Sequence, residues 1–275
     1  WNTVLLAYAS ASQEHDEIAA LRADALLREM IEGRKQNEEC STPITNSLDL
    51  PPAIDPNYVP PTPDCISYNT VILAWGNIGN AEKAHGWLRE MKESNIEPDT
   101  YTYNNVLKAY KQSGAPAERA LQLLREMDHP NRLSFTLGIQ ILCHNNEIEK
   151  AHALLNFMKR QSEDQQPDCA TYTSLIDGWA YFARNADLEE DRRRALASVF
   201  QLFKDMKTRD AKPNSLTYTS VLKAVAAARK PYSGQVAEDI IKEMRSSRDI
   251  GPNTIHYNAA LNCHARTGSA TQAMD

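Results

Sequence analysis

Pro63-Asp64-Cys65-Ile66-Ser67-Tyr68-Asn69-Thr70-Val71-Ile72 returns 35 residues later as Pro98-Asp99-Thr100-Tyr101-Thr102-Tyr103-Asn104-Asn105-Val106-Leu107. A phrase that recurs at a fixed period decides the architecture before any single residue is interpreted. Looser copies begin at Pro130-Asn131 with Phe135-Thr136, Pro167-Asp168 with Tyr172-Thr173, Pro213-Asn214 with Tyr218-Thr219 and Pro252-Asn253 with Tyr257-Asn258. Trp1-Asn2-Thr3-Val4-Leu5 reads as a further, truncated copy, which makes seven, the first and last expected to be incomplete.

Two helical stripes run through each copy. The aromatic opens one, as in Tyr68, Val71, Ile72 and Trp75; the other is an apolar set at i, i+3, i+4, i+7 that closes on methionine. The second sets include Ala23, Leu26, Leu27, Met30; Ala84, Trp87, Leu88, Met91; Ala120, Leu123, Leu124, Met127; and Ala151, Leu154, Leu155, Met158. Val199, Leu202, Phe203, Met206 and Ala237, Ile240, Ile241, Met244 continue the series. One helix pair cannot bury both stripes, so neighbouring pairs must stack and share a core. The expected fold is all-α, a right-handed superhelical α-solenoid of stacked helix-turn-helix repeats forming one array over residues 1–275.

Two segments interrupt the period. Residues 31–62 carry Pro43, Pro51, Pro52, Pro56, Pro60 and Pro61 among Asn, Ser and Thr, the composition of a disordered or extended loop. A shorter insertion, 185–194, lies between the two helices of the fifth copy, and its mixed-sign run Glu189 to Arg194 reads as a solvated helical face.

Composition removes several classes of function. No apolar run approaches the roughly 18 residues that cross a bilayer, and the N-terminal residues lack the pattern of a signal peptide, so no membrane role is expected. The five cysteines (Cys40, Cys65, Cys143, Cys169, Cys263) are widely separated and read as reduced thiols. The seven histidines are scattered, and no nucleophile-base pair, phosphate loop or metal cluster is visible, which argues against an enzyme and against any cofactor. The net charge of −6 is not the footprint usual for a nucleic-acid binder. Half of it is local: Glu32, Glu38, Glu39, Asp49 and Asp55 against Arg34 and Lys35 leave −3 within 31–62.

Tyr68-Asn69-Thr70-Val71-Ile72-Leu73-Ala74-Trp75, then Ala81-Glu82-Lys83-Ala84, Leu88-Arg89-Glu90-Met91-Lys92 and Glu97-Pro98-Asp99 resemble a pentatricopeptide repeat of the P type. The resemblance covers nearly the whole chain except the insertions. Tetratricopeptide repeats fit poorly, since Val71, Val106 and Val221 are followed by Ile or Leu where that family favours Gly.

The resemblance implies sequence-specific binding of single-stranded RNA, one base per repeat, in a mitochondrion or plastid, where members stabilise, process or edit transcripts. It further implies that each base is read by the residue after the aromatic together with the residue after the closing proline. The pairs are Asn2 with Asp64, Asn69 with Asp99, Asn104 with Asn131, Thr136 with Asp168, Thr173 with Asn214 and Thr219 with Asn253; Asn258 opens a seventh. The family's preferences then imply 5′-UU(C/U)GAA-3′. Ile66, Tyr101, Leu133, Ala170, Leu216 and Ile255, two residues before each aromatic, match the family's base-sandwiching positions, Ala170 with the least surface.

Each of these readings has a plainer counterpart. Asp or Asn between proline and a helix is what an N-cap requires, although a cap would equally accept Ser, which none of the six positions carries. Asn and Thr after the aromatic are mediocre helix formers, so their recurrence in phase asks for a reason other than helicity. The main functional alternative is a scaffold for protein partners. One turn beyond the reading residues Lys108 and Lys223 are cationic, but Leu73, Gln140 and Asp177 hold the matching places.

Overall fold

The computed structural model describes residues 2–11, 17–39, 61–246 and 250–266. Among them are thirteen α-helices and no strand. They alternate as first and second helices of successive copies. The first are α1 (Asn2–Ala11), α3 (Cys65–Ile78), α5 (Thr100–Ser113), α7 (Arg132–His144), α9 (Cys169–Asn185), α11 (Ser215–Ala228) and α13 (Thr254–Arg266). The second are α2 (Glu17–Glu39), α4 (Ala81–Glu93), α6 (Ala117–Glu126), α8 (Ile148–Met158), α10 (Glu189–Thr208) and α12 (Ser233–Ser246).

The chain packs as two compact units, residues 1–115 with 125–129 and residues 116–124 with 130–275, where the sequence reads as one array. The division falls within α6, at 10 residues the shortest second helix and so the one with least surface to bury against neighbours. Within the first unit α1, α3 and α5 lie side by side with α2 and α4 packed behind them; in the second α7, α9, α11 and α13 form the row and α8, α10 and α12 lie behind.

The stripes become the core. Tyr68, Val71, Ile72, Trp75, Ala84, Trp87, Leu88 and Met91 are buried in the first unit, as are Tyr172, Ile176, Trp179, Val199, Leu202 and Met206 in the second. Each described methionine that closes a stripe is buried, from Met30 to Met244. Gly76 marks how closely α3 and α5 approach: a Cβ there would stand 2.9 Å from the Asn105 carbonyl oxygen. Gly79 ends α3 in a left-handed conformation (φ 82°) that favours glycine.

One carboxylate is buried in the first unit. Asp24 Oδ1 accepts from the indole N–H groups of Trp75 (3.2 Å) and Trp87 (2.5 Å), while Oδ2 meets Arg28 Nε at 2.9 Å. A buried charge is tolerated when paired and hydrogen-bonded in this way, and it fixes how α2 seats on α3 and α4.

The first interruption is more helical than its composition suggests, and the second is helical from Glu189 as its charge pattern implies. The loop expected over 31–62 begins later, because α2 continues to Glu39; Glu32, Arg34, Lys35, Gln36, Glu38 and Glu39 are adequate or good helix formers. Residues 40–60 of that segment lie outside the described residues. The expected insertion at 185–194 is mostly absorbed into helix: α9 reaches Asn185 and α10 begins at Glu189, leaving three residues between them.

Successive second helices are joined by ion pairs. Near one end of the layer stand Glu118–Lys150 (2.9 Å), Glu149–Arg194 and Glu189–Lys230; near the other stand Lys92–Glu126 (2.9 Å), Lys159–Asp205 and Lys207–Glu243 (2.6 Å). Two carboxylates in this series also take the hydroxyl of a core tyrosine, Tyr172 to Asp205 (2.9 Å) and Tyr218 to Glu243 (2.7 Å). Partial burial pushes the Asp205 carboxyl up, but Lys159, Tyr172 and Arg209 outweigh it and hold the group below its ordinary range.

Replacing Leu88, 1% exposed, with Ala is expected to cost about 2–5 kcal/mol in denaturant titration without altering any ligand preference. Because the folded Asp205 titrates below its unfolded value, its contribution is complete above about pH 4 and is lost as the pH falls through the folded value. Thermal melts of Asp205→Asn should therefore lose less stability on acidification than those of the unaltered chain.

Candidate nucleic-acid interface

Every first helix from α3 to α11 starts the same way. The residue after the proline (Asp64, Asp99, Asn131, Asp168, Asn214) is the N-cap, and its Oδ1 accepts the backbone N–H three residues on at 2.8–3.0 Å. The residue donating that N–H is Ser67, Thr102, Ser134, Thr171 or Thr217, and its hydroxyl donates to the same Oδ1 at 2.8–3.0 Å. The plainer reading of these positions as caps is thus correct in geometry. The cap, however, uses one terminal atom and leaves the second, Oδ2 of Asp or Nδ2 of Asn, outside its bonding.

The residues after the aromatics converge on these caps from the preceding repeat. Asn2 Nδ2 donates to Asp64 Oδ2 and Oδ1 (3.2 and 3.3 Å), and Asn2 Oδ1 lies 2.9 Å from Ser67 Oγ, whose single proton is shared between that oxygen and Asp64 Oδ1. Asn69 Nδ2 lies 3.4 Å from Asp99 Oδ1, and the Thr102 hydroxyl donates to Asn69 Oδ1. Threonine is too short to reach the cap directly, so hydroxyls meet instead, Thr136 with Thr171 (2.7 Å) and Thr173 with Thr217 (2.7 Å), the second of each pair lying on its cap; Thr136 Oγ1 is also 2.8 Å from Arg132 O of its own helix.

Four of the six inferred pairs are brought together in this way. Asn104 and Asn131 fall in different units. The last pair departs because His256 occupies the place of the bridging hydroxyl; Thr219, like Thr136, donates to its own helix, at Ser215 O (3.0 Å). Its Nδ1 accepts from the Asn253 backbone (3.0 Å) and its Nε2 donates to Ser215 O (2.9 Å), which fixes the tautomer. Asn258, opening the seventh copy, is exposed on α13.

Asn69, Asn104, Thr136 and Thr173 are buried along the seams between first helices, whereas Asp64, Asp99, Asn131, Asn214 and Asn253 stand at the surface. Partial burial pushes the Asp64 carboxyl up, but the Ser67 N–H and hydroxyl and the Asn2 amide prevail and hold it below its ordinary range. The bridging Ser or Thr was not singled out by the sequence argument. Its signal is a hydroxyl residue directly before the aromatic in five consecutive copies.

Flanking the caps is an apolar row. Ile66, Tyr101, Leu133, Leu216 and Ile255 are all 52–60% exposed, and Ala170 is exposed at the same place. Each lies two residues before the aromatic, about 200° around the helix from it; the aromatic is buried in every case but Tyr257, so from Ile66 to Leu216 the local geometry turns the row outward. Large apolar side chains repeatedly exposed at one register mark a surface that something covers.

Other chemistry is sparse. Among the described residues no three His, Cys, Asp or Glu side chains are gathered as metal ligands, and no helix is long and apolar enough to cross a membrane. Cys65, Cys143, Cys169 and Cys263 form no disulfide among the described residues, and burial pushes the Cys143 thiol up to about 12, far from a reactive thiolate.

Two family models match the chain, the PPR repeat family over residues 63–112 and the pentacotripeptide-repeat region of PRORP over residues 143–275. The chain belongs to the pentatricopeptide repeat family. A chloroplastic pentatricopeptide repeat-containing protein of Arabidopsis thaliana is 28% identical over 80% of this chain and 28% of its own length. The mitochondrial 15S rRNA processing factor CCM1 of Yarrowia lipolytica is 30% identical over 66% of this chain and 23% of its own. The pentatricopeptide repeat protein PPR10, solved in complex with an 18-nt psaJ RNA element, shares the fold: the TM-score is 0.53 at 21% identity, over 98% of this chain and 34% of that one. The chain therefore spans about a quarter to a third of the length of these pentatricopeptide repeat relatives.

Thr102→Val keeps the backbone cap on Asp99 but removes the hydroxyl that joins it to the buried Asn69. The expected loss is about 1–3 kcal/mol, the cost of an unpaired buried polar atom, read by denaturant titration.

Proposed function

We propose that this chain is a sequence-specific single-stranded RNA-binding array that works on transcripts of a mitochondrion or plastid. Each repeat takes one base through the polar pair at the head of its first helix. The observation that carries this reading is the surplus at each cap: Oδ1 is spent on the helix, while the second terminal atom and the neighbouring Asn or Thr stand where one first helix meets the next. Asp offers only acceptors there, and Asn offers a donor as well, so the two suit different base edges. The exposed row of Ile66, Tyr101, Leu133, Leu216 and Ile255 supplies apolar faces against which unstacked bases can pack, stacking on an aromatic being worth about 1–3 kcal/mol.

Family membership supports the class of function, and the relatives' names support the setting, chloroplastic for one and a mitochondrial rRNA processing factor for another. The reading assigns recognition to this chain and leaves the chemistry performed on the RNA to other agents. The predicted preference is 5′-UU(C/U)GAA-3′, in the order of the pairs from Asn2 with Asp64 to Thr219 with Asn253.

A protein-binding scaffold is the second reading, favoured by how few cations are uncommitted near the caps. Lys108 donates to Asn77 Oδ1 (2.6 Å), and Lys223 pairs with Asp177 (3.2 Å). A low-salt titration against single-stranded RNA containing UUCGAA, a scrambled RNA of equal composition and the matching DNA separates the two. Preference for the first RNA is expected; binding to none of the three would leave the scaffold reading standing. In the same assay Thr136→Asn should move the fourth-base preference from G toward U by about 1–3 kcal/mol, the scale of a base-edge contact. Unchanged selectivity in a folded variant would rule out the assigned register.

A further inference from the structure

The fifth and sixth repeats carry the same polar pair, Thr173 with Asn214 and Thr219 with Asn253, and lie in the same unit. Two identical pairs should take the same base with the same selectivity. They are not held alike, because the residue directly before the aromatic of the following helix is Thr217 in one and His256 in the other.

Thr217 ties its pair together. Its hydroxyl donates its single proton to Asn214 Oδ1 (3.0 Å) and accepts the Asn214 backbone N–H (3.1 Å), which leaves one lone pair for the Thr173 hydroxyl at 2.7 Å. Thr173 is therefore the donor in that contact. Its proton is committed within the protein, so toward a ligand its oxygen can only accept.

His256 keeps one of these three bonds. Its Nδ1 accepts the Asn253 backbone N–H (3.0 Å), as Thr217 Oγ1 does for Asn214. Asn253 Oδ1 is held instead by the backbone N–H groups of Ile255 (3.1 Å) and His256 (3.3 Å). The ring Nε2–H crosses the seam to Ser215 O (2.9 Å), and with the ring fully buried it fills the space in which a bridging hydroxyl would meet Thr219.

Ser215 O then has more donors than lone pairs. Within the α11 ladder it takes the Thr219 backbone N–H, and the His256 ring takes up its second lone pair. The Thr219 hydroxyl, 3.0 Å away, is a third donor to an oxygen with room for two. Withdrawing it costs little, because the carbonyl stays satisfied. Thr219 is half-buried where Thr173 is buried, so its hydroxyl can turn outward. It can then donate to one base edge or accept from another.

We infer that His256 is a positioning residue that relaxes selection at the sixth base. By replacing the bridging hydroxyl it unties Thr219 from Asn253, and this repeat accepts more than one base where the fifth, with the same pair, accepts one. The inference rests on the RNA reading above. A fixed polar group discriminates because the wrong ligand leaves it unpaired, and a group free to reorient escapes that penalty.

The test titrates the unaltered chain with RNA carrying UUCGAA inside a longer strand, and with strands in which the fifth or the sixth base is replaced by each of the other three. The best-tolerated replacement of the fifth should weaken binding by about 10-fold or more, the scale of a base-edge contact, and that of the sixth by less than about 3-fold. Two variants then move the bridging hydroxyl. His256→Thr supplies it and should raise the sixth-base penalty to that of the fifth, with the fifth unchanged. Thr217→Val removes it while keeping the side-chain shape, and should lower the fifth-base penalty to that of the sixth. Circular dichroism checks helicity, and a loss of packing alone would weaken all the RNAs by one factor without changing either ratio.

Equal penalties at the two bases of the unaltered chain overturn the inference and leave the base-reading proposal standing. Unequal penalties that the folded variants do not shift overturn it too. If the unaltered chain binds no RNA, or shows no penalty at either base, the base reading falls and this inference with it. Should His256→Thr not fold, the comparison of the two bases and Thr217→Val decide the matter.

Discussion

A helix that begins in a crowded repeat needs something to accept its first free N–H groups, and in this chain one carboxylate or amide oxygen meets that need at the head of each first helix from α3 to α11. The rest of the first-helix layer depends on it. Once Oδ1 is fixed by the N–H and hydroxyl of the bridging Ser or Thr, the cap side chain has no rotamer freedom left. The neighbouring Asn or Thr of the preceding repeat is fixed in turn, through the same hydroxyl. Stability and register therefore share one bond, and within each unit the second polar atom of the cap is held on a fixed side chain.

Charge follows a different logic. The net −6 looks unpromising for a chain proposed to bind RNA, yet much of the acidity behind it is internal to the fold. Glu118, Glu126, Glu149, Glu189, Asp205 and Glu243 each meet a cation from an adjacent repeat along the second-helix layer. Exposed pairs of this kind contribute up to about 1 kcal/mol each, but they are all in phase and so favour one stacking register over its neighbours. What matters to a polyanion is the field over the first-helix face, not the total.

The fold was legible because its signals are periodic. The aromatic and the closing methionine mark the two stripes, and their burial follows from helical geometry alone. The segment around Arg34 and Lys35 was less legible: the prolines further along dominated its composition, while the helix formers before them carry α2 to Glu39. In residues 185–194 the mixed-sign run from Glu189, read as a helical face, is the first part of α10, and the insertion lengthens the flanking helices. Of the candidate interface, the residues proposed to read bases could be placed by spacing, but the bridging hydroxyls could not be given a role, because their partners lie 33–65 residues away in sequence.

The cap geometry also bears on why Asp and Asn share this position and Ser is absent from it. Serine caps a helix about as well as either, and it would satisfy the same N–H. It would spend its only polar atom doing so. Asp and Asn are equivalent to the helix, each presenting Oδ1 in the same place, and differ only in the atom that points elsewhere. A position required solely for stability has no reason to exclude serine six times, nor to distinguish Asp64, Asp99 and Asp168 from Asn131, Asn214 and Asn253. A position that must both start a helix and present a second, selectable polar atom has reason to do both. On the RNA-binding reading proposed above, exchange between Asp and Asn keeps the Oδ1 cap and changes the second polar atom, and with it what one repeat accepts.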